Sequence, residues 1–419
     1  MARYLMFFSY IGTRFAGLQR QPRNITVQGV IEHALRTVLR IPFGINTPIH
    51  TCSRTDAGVH AIMNTATVTL PLLNVRDGTI KPLPKPIKHA DTEIKDRLPI
   101  LGVNVDPPYD PLYLQAALNH LLWDLQVDVR ITNIRVVHHG FCPRRHAKNR
   151  TYLYRLAVLK PEFALHDAPV LMRNPGAMAP LAEQCRSWPV DSEFHIERFA
   201  EGCRLFEGTH NFGSFMSTVK VVDVSNGDHS GDVGQPAADE IDDEASDKAE
   251  TNNCDSDVLR RPHVRPSHAM SSTLRHIACC RVDPGRPLID PAHDPLSGRF
   301  DYYDITVISR SFLYNQVRRM IGALVAAAQH QISLDDIRWL LATPTASSWD
   351  RFNIRLAPPF GLYLKHIEYN ERDFESPVPN FVSHLTAEDE SVCDPDPKMD
   401  AEYETPTDSS KLEVKNNCG

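Results

Sequence analysis

The 419-residue chain contains no C-x-x-C pair; its nine cysteines are scattered at positions 52, 142, 185, 203, 254, 279, 280, 393 and 418. Only Cys279 and Cys280 lie close together, and adjacent residues make poor joint ligands for one tetrahedral zinc. An odd, scattered set argues against a disulfide framework and for reduced thiols in an intracellular protein. No apolar run approaches the roughly 20 residues of a membrane span. The apolar core of a secretory signal is also missing. No basic presequence stands clear of the first expected strand, although Arg3, Arg14 and Arg20 leave a mitochondrial destination open beside a cytoplasmic one. H-E-x-x-H does not occur, so a zinc hydrolase lacks its ligand pair, and no metal site is expected. Gly12-Thr13-Arg14-Phe15-Ala16-Gly17 has Walker glycine spacing, but Leu18-Gln19 follows where the phosphate-binding lysine is needed.

A positive net charge is also lacking: the formal value is -7. Its distribution matters more than its sum. Residues 221–260 and 387–419 together hold 22 acidic and 5 basic side chains, which leaves +10 on the rest. A basic body with two acidic appendages is compatible with an RNA partner. Charge alone fits a simply solvated surface equally well.

What is present is ordinary globular material, 42 % hydrophobic. Residues 3–10, 64–70, 128–137, 150–156, 274–282, 300–309 and 361–368 have strand character. Helices are predicted over 26–39, capped by Thr26, and over 112–122, 193–206, 317–328 and 334–341. Residues 71–108 are rich in Pro and Lys and read as a loop. About 219–270 reads as a disordered acidic insertion, and 371–419 as an acidic disordered tail. This mixture indicates an α+β protein rather than an alternating parallel fold. Its body divides into an N-terminal part, 1–136, and a C-terminal part, 137–370.

One segment suggests chemistry: Cys52-Ser53-Arg54-Thr55-Asp56-Ala57-Gly58-Val59-His60-Ala61. Arginine stands two residues before aspartate, and a small residue and a glycine follow, where the backbone can turn tightly. A carboxylate on a rigid turn near guanidinium groups stays ionised and can act as nucleophile or electrostatic stabiliser. By itself the same pattern also describes a surface turn with an Arg-Asp pair.

The run Arg54 to Ala61 resembles the catalytic motif of TruA-type pseudouridine synthases. Further segments resemble that family in the same order. They are Phe8-Ser9-Tyr10-Ile11-Gly12-Thr13 with Gly17-Leu18-Gln19-Arg20-Gln21, then Thr26-Val27-Gln28-Gly29-Val30-Ile31-Glu32. Phe141 to Ala147 follows with Arg150-Thr151-Tyr152-Leu153-Tyr154-Arg155, then Phe206 to Phe212 with Ser214-Phe215. Ser311 to Gly322 and Gly361-Leu362-Tyr363-Leu364 close the series. The runs around Tyr152 and Tyr314 sit nearest the tRNA pseudouridine synthase-like 1 branch. Two departures stand out: Leu18 replaces a frequent aromatic, and Cys142-Pro143 a frequent His-Ala pair.

The resemblance implies two ferredoxin-like (RRM-like) halves forming a central antiparallel sheet with flanking helices and a cleft between the halves. It implies isomerisation of uridine to pseudouridine in RNA, most naturally tRNA, without a cofactor; bacterial relatives imply a homodimer. Asp56 would be the nucleophile and Tyr152 would stack on the extruded base. Arg318 would pair with Asp56. Helical geometry agrees, because Arg318 lies at the edge of the apolar stripe 317, 320, 321, 324, 325 and 328, with Arg319 nearly opposite and facing solvent or phosphate. Arg54 would contact substrate or orient the turn. Arg144, Arg145, Arg150 and Arg319 are candidates for the RNA backbone. Two other readings compete: an RNA-binding protein of this fold without catalysis, and a base-excising hydrolase, for which no second carboxylate motif stands out.

Overall fold

The computed structural model describes residues 2–41, 48–70, 109–164, 174–217 and 273–377. Among the described residues, ten strands make one sheet: β1 (Ala2–Tyr10), β2 (Ile49–Thr51), β3 (His60–Leu70), β4 (Val129–Val137), β5 (Ala147–Leu159), β6 (Trp188–Val190), β7 (Gly208–Asn211), β8 (Leu274–Pro284), β9 (Phe300–Ser309) and β10 (Leu362–Tyr369). The helices are α1 (Val27–Leu39), α2 (Pro111–Asp124), α3 (Pro175–Met178), α4 (Ile196–Phe206), α5 (Gln316–Ala328), α6 (Leu334–Ala342), α7 (Ala346–Asp350) and α8 (Arg372–Glu375). The result is a mixed α+β protein, as the pattern predicted.

The main path of the sheet runs β4-β1-β3-β10-β5-β9-β8-β7, with β2 on β3 and β6 on β5. Pairing is antiparallel except for β3 with β10 and β5 with β6. The β3–β10 pairing is short, matching Tyr363 with His60 and Leu364 with Ala61. It joins the end of the Asp56 segment to β10, whose Leu364 faces Tyr152 on β5. Two steps of about 4.8 Å therefore separate the strand that follows Asp56 from the strand that carries Tyr152.

Local chemistry explains the principal helices. Thr26 caps α1 by accepting from the Gly29 N–H at 3.2 Å, one of the donors that a helix start leaves unsatisfied. Asp110 does the same for α2, accepting from Leu112 and Tyr113. In α5 every residue from Met320 to Ala328 is buried. Its apolar stripe lies against the core, while Gly322 fits under Arg355 and Ala357. A Cβ on Gly322 would stand 2.4 Å from the Arg355 carbonyl oxygen. This corrects the expectation of a solvent face beside Arg319.

The described residues form one compact unit. The expected start of the tail is also corrected. Residues 371–377 still belong to the packed body, because Phe374 is buried against Phe141 and its carbonyl accepts from the His138 N–H at 2.7 Å. The expected loop at 71–108, the acidic insertion at about 219–270 and the tail beyond 377 lie outside the described residues. No helix among the described residues is long and apolar enough to cross a membrane.

Candidate active site

The segment 52–59 links β2 to β3, and several of its residues are pinned inward. The Cys52 N–H donates to the Thr65 carbonyl at 2.9 Å. The Ser53 carbonyl accepts from Asn64 Nδ2 at 3.0 Å. Thr55 Oγ1 lies 2.7 Å from the Tyr10 hydroxyl, and the Thr55 carbonyl accepts from the Leu18 N–H at 3.1 Å. Leu18 can come that close because Gly17 adopts φ +108, and a Cβ there would meet the Thr55 oxygen at 3.0 Å. Cys52, Ser53 and Thr55 are buried, whereas Arg54 and Ala57 are exposed. The segment closes in a turn, with the Val59 N–H donating to the Asp56 carbonyl at 3.2 Å and Gly58 at φ +78.

Asp56 is thereby held on a stiff turn with its side chain one-third exposed. Its Oδ2 lies 3.9 Å from Arg318 Nη1, an ion-pair distance beyond hydrogen-bond length. Arg318 is itself fixed. Its Nε donates to the Ala357 carbonyl at 2.8 Å and its Nη1 to Asn315 Oδ1 at 2.9 Å. Burial pulls the pKa of this guanidinium down, and the charge of Asp56 opposes the shift. Arginine stays charged regardless.

Tyr152 is buried on β5, its ring edge-on to Phe312 at 5.1 Å. Burial raises its phenol pKa, and the charge of Asp56 adds to that rise, which marks the two as electrostatic neighbours. The structure thus brings Asp56, Arg318 and Tyr152 together from three distant stretches of chain. A carboxylate backed by a guanidinium and flanked by an aromatic can attack or stabilise an electrophilic centre beside a planar base.

The basic candidates separate. Arg144 and Arg145 are exposed on the loop before β5, and Arg54 is exposed on the Asp56 turn. Arg150, expected at an RNA phosphate, is instead 8 % exposed. It donates to Ser53 Oγ at 2.8 Å, the Cys52 carbonyl at 3.4 Å and the Arg144 carbonyl at 3.1 Å, and also to the Arg310 carbonyl. Its donors are spent on three backbone segments around the site. Arg319 is likewise turned inward. It donates to the Ser214 and Met216 carbonyls at 2.8 and 2.9 Å and lies over the Trp349 ring at 4.8 Å.

Sequence reasoning gave His60 no task, although it stands inside the motif. It is fully buried. Its Nδ1 accepts from the Gly12 N–H at 2.9 Å, and its Nε2 lies 3.0 Å from both the Cys185 and the Phe360 carbonyl oxygens. Only the position of His60 next to a glycine-bearing turn hinted at this. Its partners are backbone groups far away in sequence, and no motif lists them. Among the described residues no group of three or more His, Cys, Asp or Glu side chains is placed to hold a metal ion. A separate depression of about 350 Å³ near Lys160, Phe300 and Tyr302 includes none of these candidates.

With this geometry in hand, comparisons identify what the chain is similar to. The profile of the family described as tRNA pseudouridine synthase matches residues 203–370, which include Arg318. The tRNA pseudouridine synthase-like 1 of Xenopus laevis is 27% identical over 378 residues, 88% of this chain and 92% of that protein. Its Homo sapiens counterpart is 27% identical over 396 residues, 91% of this chain and 96% of that protein. The tRNA pseudouridine synthase A of Paramagnetospirillum magneticum is 30% identical over 235 residues, 54% of this chain and 69% of that protein.

Proposed function

Because the chain belongs to the tRNA pseudouridine synthase family, we propose that it isomerises uridine to pseudouridine in RNA, with tRNA as substrate and Asp56 as nucleophile. The observation that carries this reading is the meeting of Asp56 with Arg318 at 3.9 Å, next to Tyr152. A binding surface has no need of a carboxylate pinned on a turn and faced by a fixed guanidinium.

In this reading the carboxylate assists cleavage of the bond between uracil N1 and ribose C1′. The freed base turns within the site and bonds to C1′ through C5. N1 gains a proton and C5 loses one, so product and substrate are isomers and no cofactor is consumed. Arg318 faces the carboxylate and keeps it aimed. Tyr152, which is buried, meets the base at the floor of the site. Arg54, Arg144 and Arg145 contribute to holding the RNA backbone, which makes binding salt-dependent. The fold is read as two ferredoxin-like halves, 1–136 and 137–370, that share the sheet and place the RNA between them. The β3–β10–β5 order is compatible with that division.

The test is pseudouridine mapping on RNA from cells with and without the protein, complemented by wild type or Asp56→Ala. Sites that vanish and return only with wild type support the proposal and name the substrate. Full rescue by Asp56→Ala sinks the nucleophile assignment, and release of free uracil from RNA by the purified protein points to a hydrolase.

A further inference from the structure

The Asp56 turn ends at His60, and the surroundings of that ring have a second connection to the site. The Gly12 N–H can only donate, so Nδ1 must accept, and the ring proton sits on Nε2. From there it is shared between the carbonyls of Cys185 and Phe360, each at 3.0 Å. The ring also lies against Tyr363 with centroids 4.6 Å apart. A protonated imidazole would turn an N–H at Nδ1 toward the N–H of Gly12, donor against donor. Phe360 belongs to the segment whose Ala357 carbonyl holds Arg318 Nε. In that segment Pro359 also backs Gly58, where a Cβ would approach its ring at 3.1 Å. One short stretch, 357–360, therefore receives a bond from the end of the Asp56 turn and a bond from the partner of Asp56.

We propose that His60 is a positioning residue for the reaction: as a neutral Nε2–H ring it locks the Asp56 turn to residues 357–360 and so sets the Asp56–Arg318 geometry. This inference rests on the functional reading above. The charged and titratable neighbours fit a neutral ring. Arg186 opposes a positive charge. The Tyr363 hydroxyl donates to the Arg186 carbonyl, and beyond it Arg155 is paired with Glu183 at 3.0 Å and lies 3.7 Å from Asp304. Burial accordingly lowers the pKa of His60 to about 4.

The experiment follows single-turnover tritium release from tRNA transcripts labelled at uridine C5, since that hydrogen leaves when C5 joins the ribose. Filter binding of the same transcripts is measured in parallel. His60→Ala is expected to slow the saturated rate by about 10- to 100-fold, the scale of a small misplacement of reacting groups, with RNA affinity changed less than about threefold. His60→Gln offers an acceptor and a donor at similar reach and should restore most of the rate. The wild-type rate should fall more steeply than that of the Gln variant as pH drops below about 5, the fall common to both belonging to carboxylates. A wild-type rate in His60→Ala, or a loss confined to affinity, overturns the proposal. Should His60→Ala not fold, nitrogen chemical shifts of the His60 ring in the wild-type protein decide the tautomer, and a proton on Nδ1 at pH 7.5 overturns it. A wild-type protein that releases no tritium from any tRNA transcript overturns the functional reading instead.

Discussion

Arg150 shows how far a residue's role depends on its surroundings. In the sequence it sits among Arg144, Arg145 and Lys148 and reads like another cation awaiting phosphate. In the folded chain it is a brace that ties Cys52 and Ser53 to the loop before β5 and to the end of β9. Replacing it with alanine leaves several buried acceptors without their donor. Hydrogen bonds to a charged group are worth about 1.5–3 kcal/mol each and do not add fully, so Arg150→Ala should lose roughly 3 kcal/mol of stability. Urea unfolding measures that loss. The salt dependence of RNA binding by whatever protein stays folded should be unchanged, because no phosphate contact is removed. Arg145→Ala should do the reverse, keeping stability and lowering the slope of log affinity against log salt by about one. Matching salt slopes in the two variants would restore Arg150 to the phosphate contacts.

At the scale of elements, the long periodic segments were legible, and α5 shows both the reach and the limit of periodicity. Spacing placed Arg318 at the edge of a buried stripe, and the helix indeed presents it toward Asp56. The fate of Arg319 was not legible. Periodicity describes one helix, whereas Arg319 meets the Ser214 and Met216 carbonyls and the Trp349 ring, and Gly322 meets Arg355, all from segments outside the helix. Small residues were the only sign: Gly322, Ala323, Ala326 and Ala327 are all buried. The short strands β2, β6 and β7 were missed as well, since three or four residues give no period to read. Gly322 tests this packing. A side chain there meets a backbone oxygen, which cannot rotate away, so Gly322→Val should cost about 1–3 kcal/mol as an overpacked contact. It should also lower turnover more than RNA affinity, because the displaced segment carries the Ala357 carbonyl that orients Arg318. Unchanged stability would show that the helix and the 354–357 segment separate easily, and the tight seating of Arg318 would then lose its explanation.

For the molecule as a whole, the sheet gathers the site from strands distant in sequence, and His60 sits where those strands meet. This makes the stability of the whole body depend on one proton. The unfolded ring titrates near its ordinary value, whereas burial holds the folded ring neutral down to about 4. Between about 6.5 and 4 the unfolded chain therefore binds more protons at this site than the folded one, and stability falls as pH falls. Above about 6.5 the ring is neutral in both states and contributes no slope. A shift of this size corresponds to ~3 kcal/mol lost across the window. Carboxylates also titrate below pH 5, so the informative quantity is the difference between wild type and His60→Gln, which has no proton to bind there. Denaturant unfolding at intervals from pH 7.5 to 4 should show the wild-type curve falling more steeply, with the two converging toward the acid end. Parallel curves would mean that the folded protein tolerates an imidazolium at His60. The Gly12 N–H would then have to release Nδ1 without cost, and the ring would no longer act as a fixed clasp between the Asp56 turn and residues 357–360.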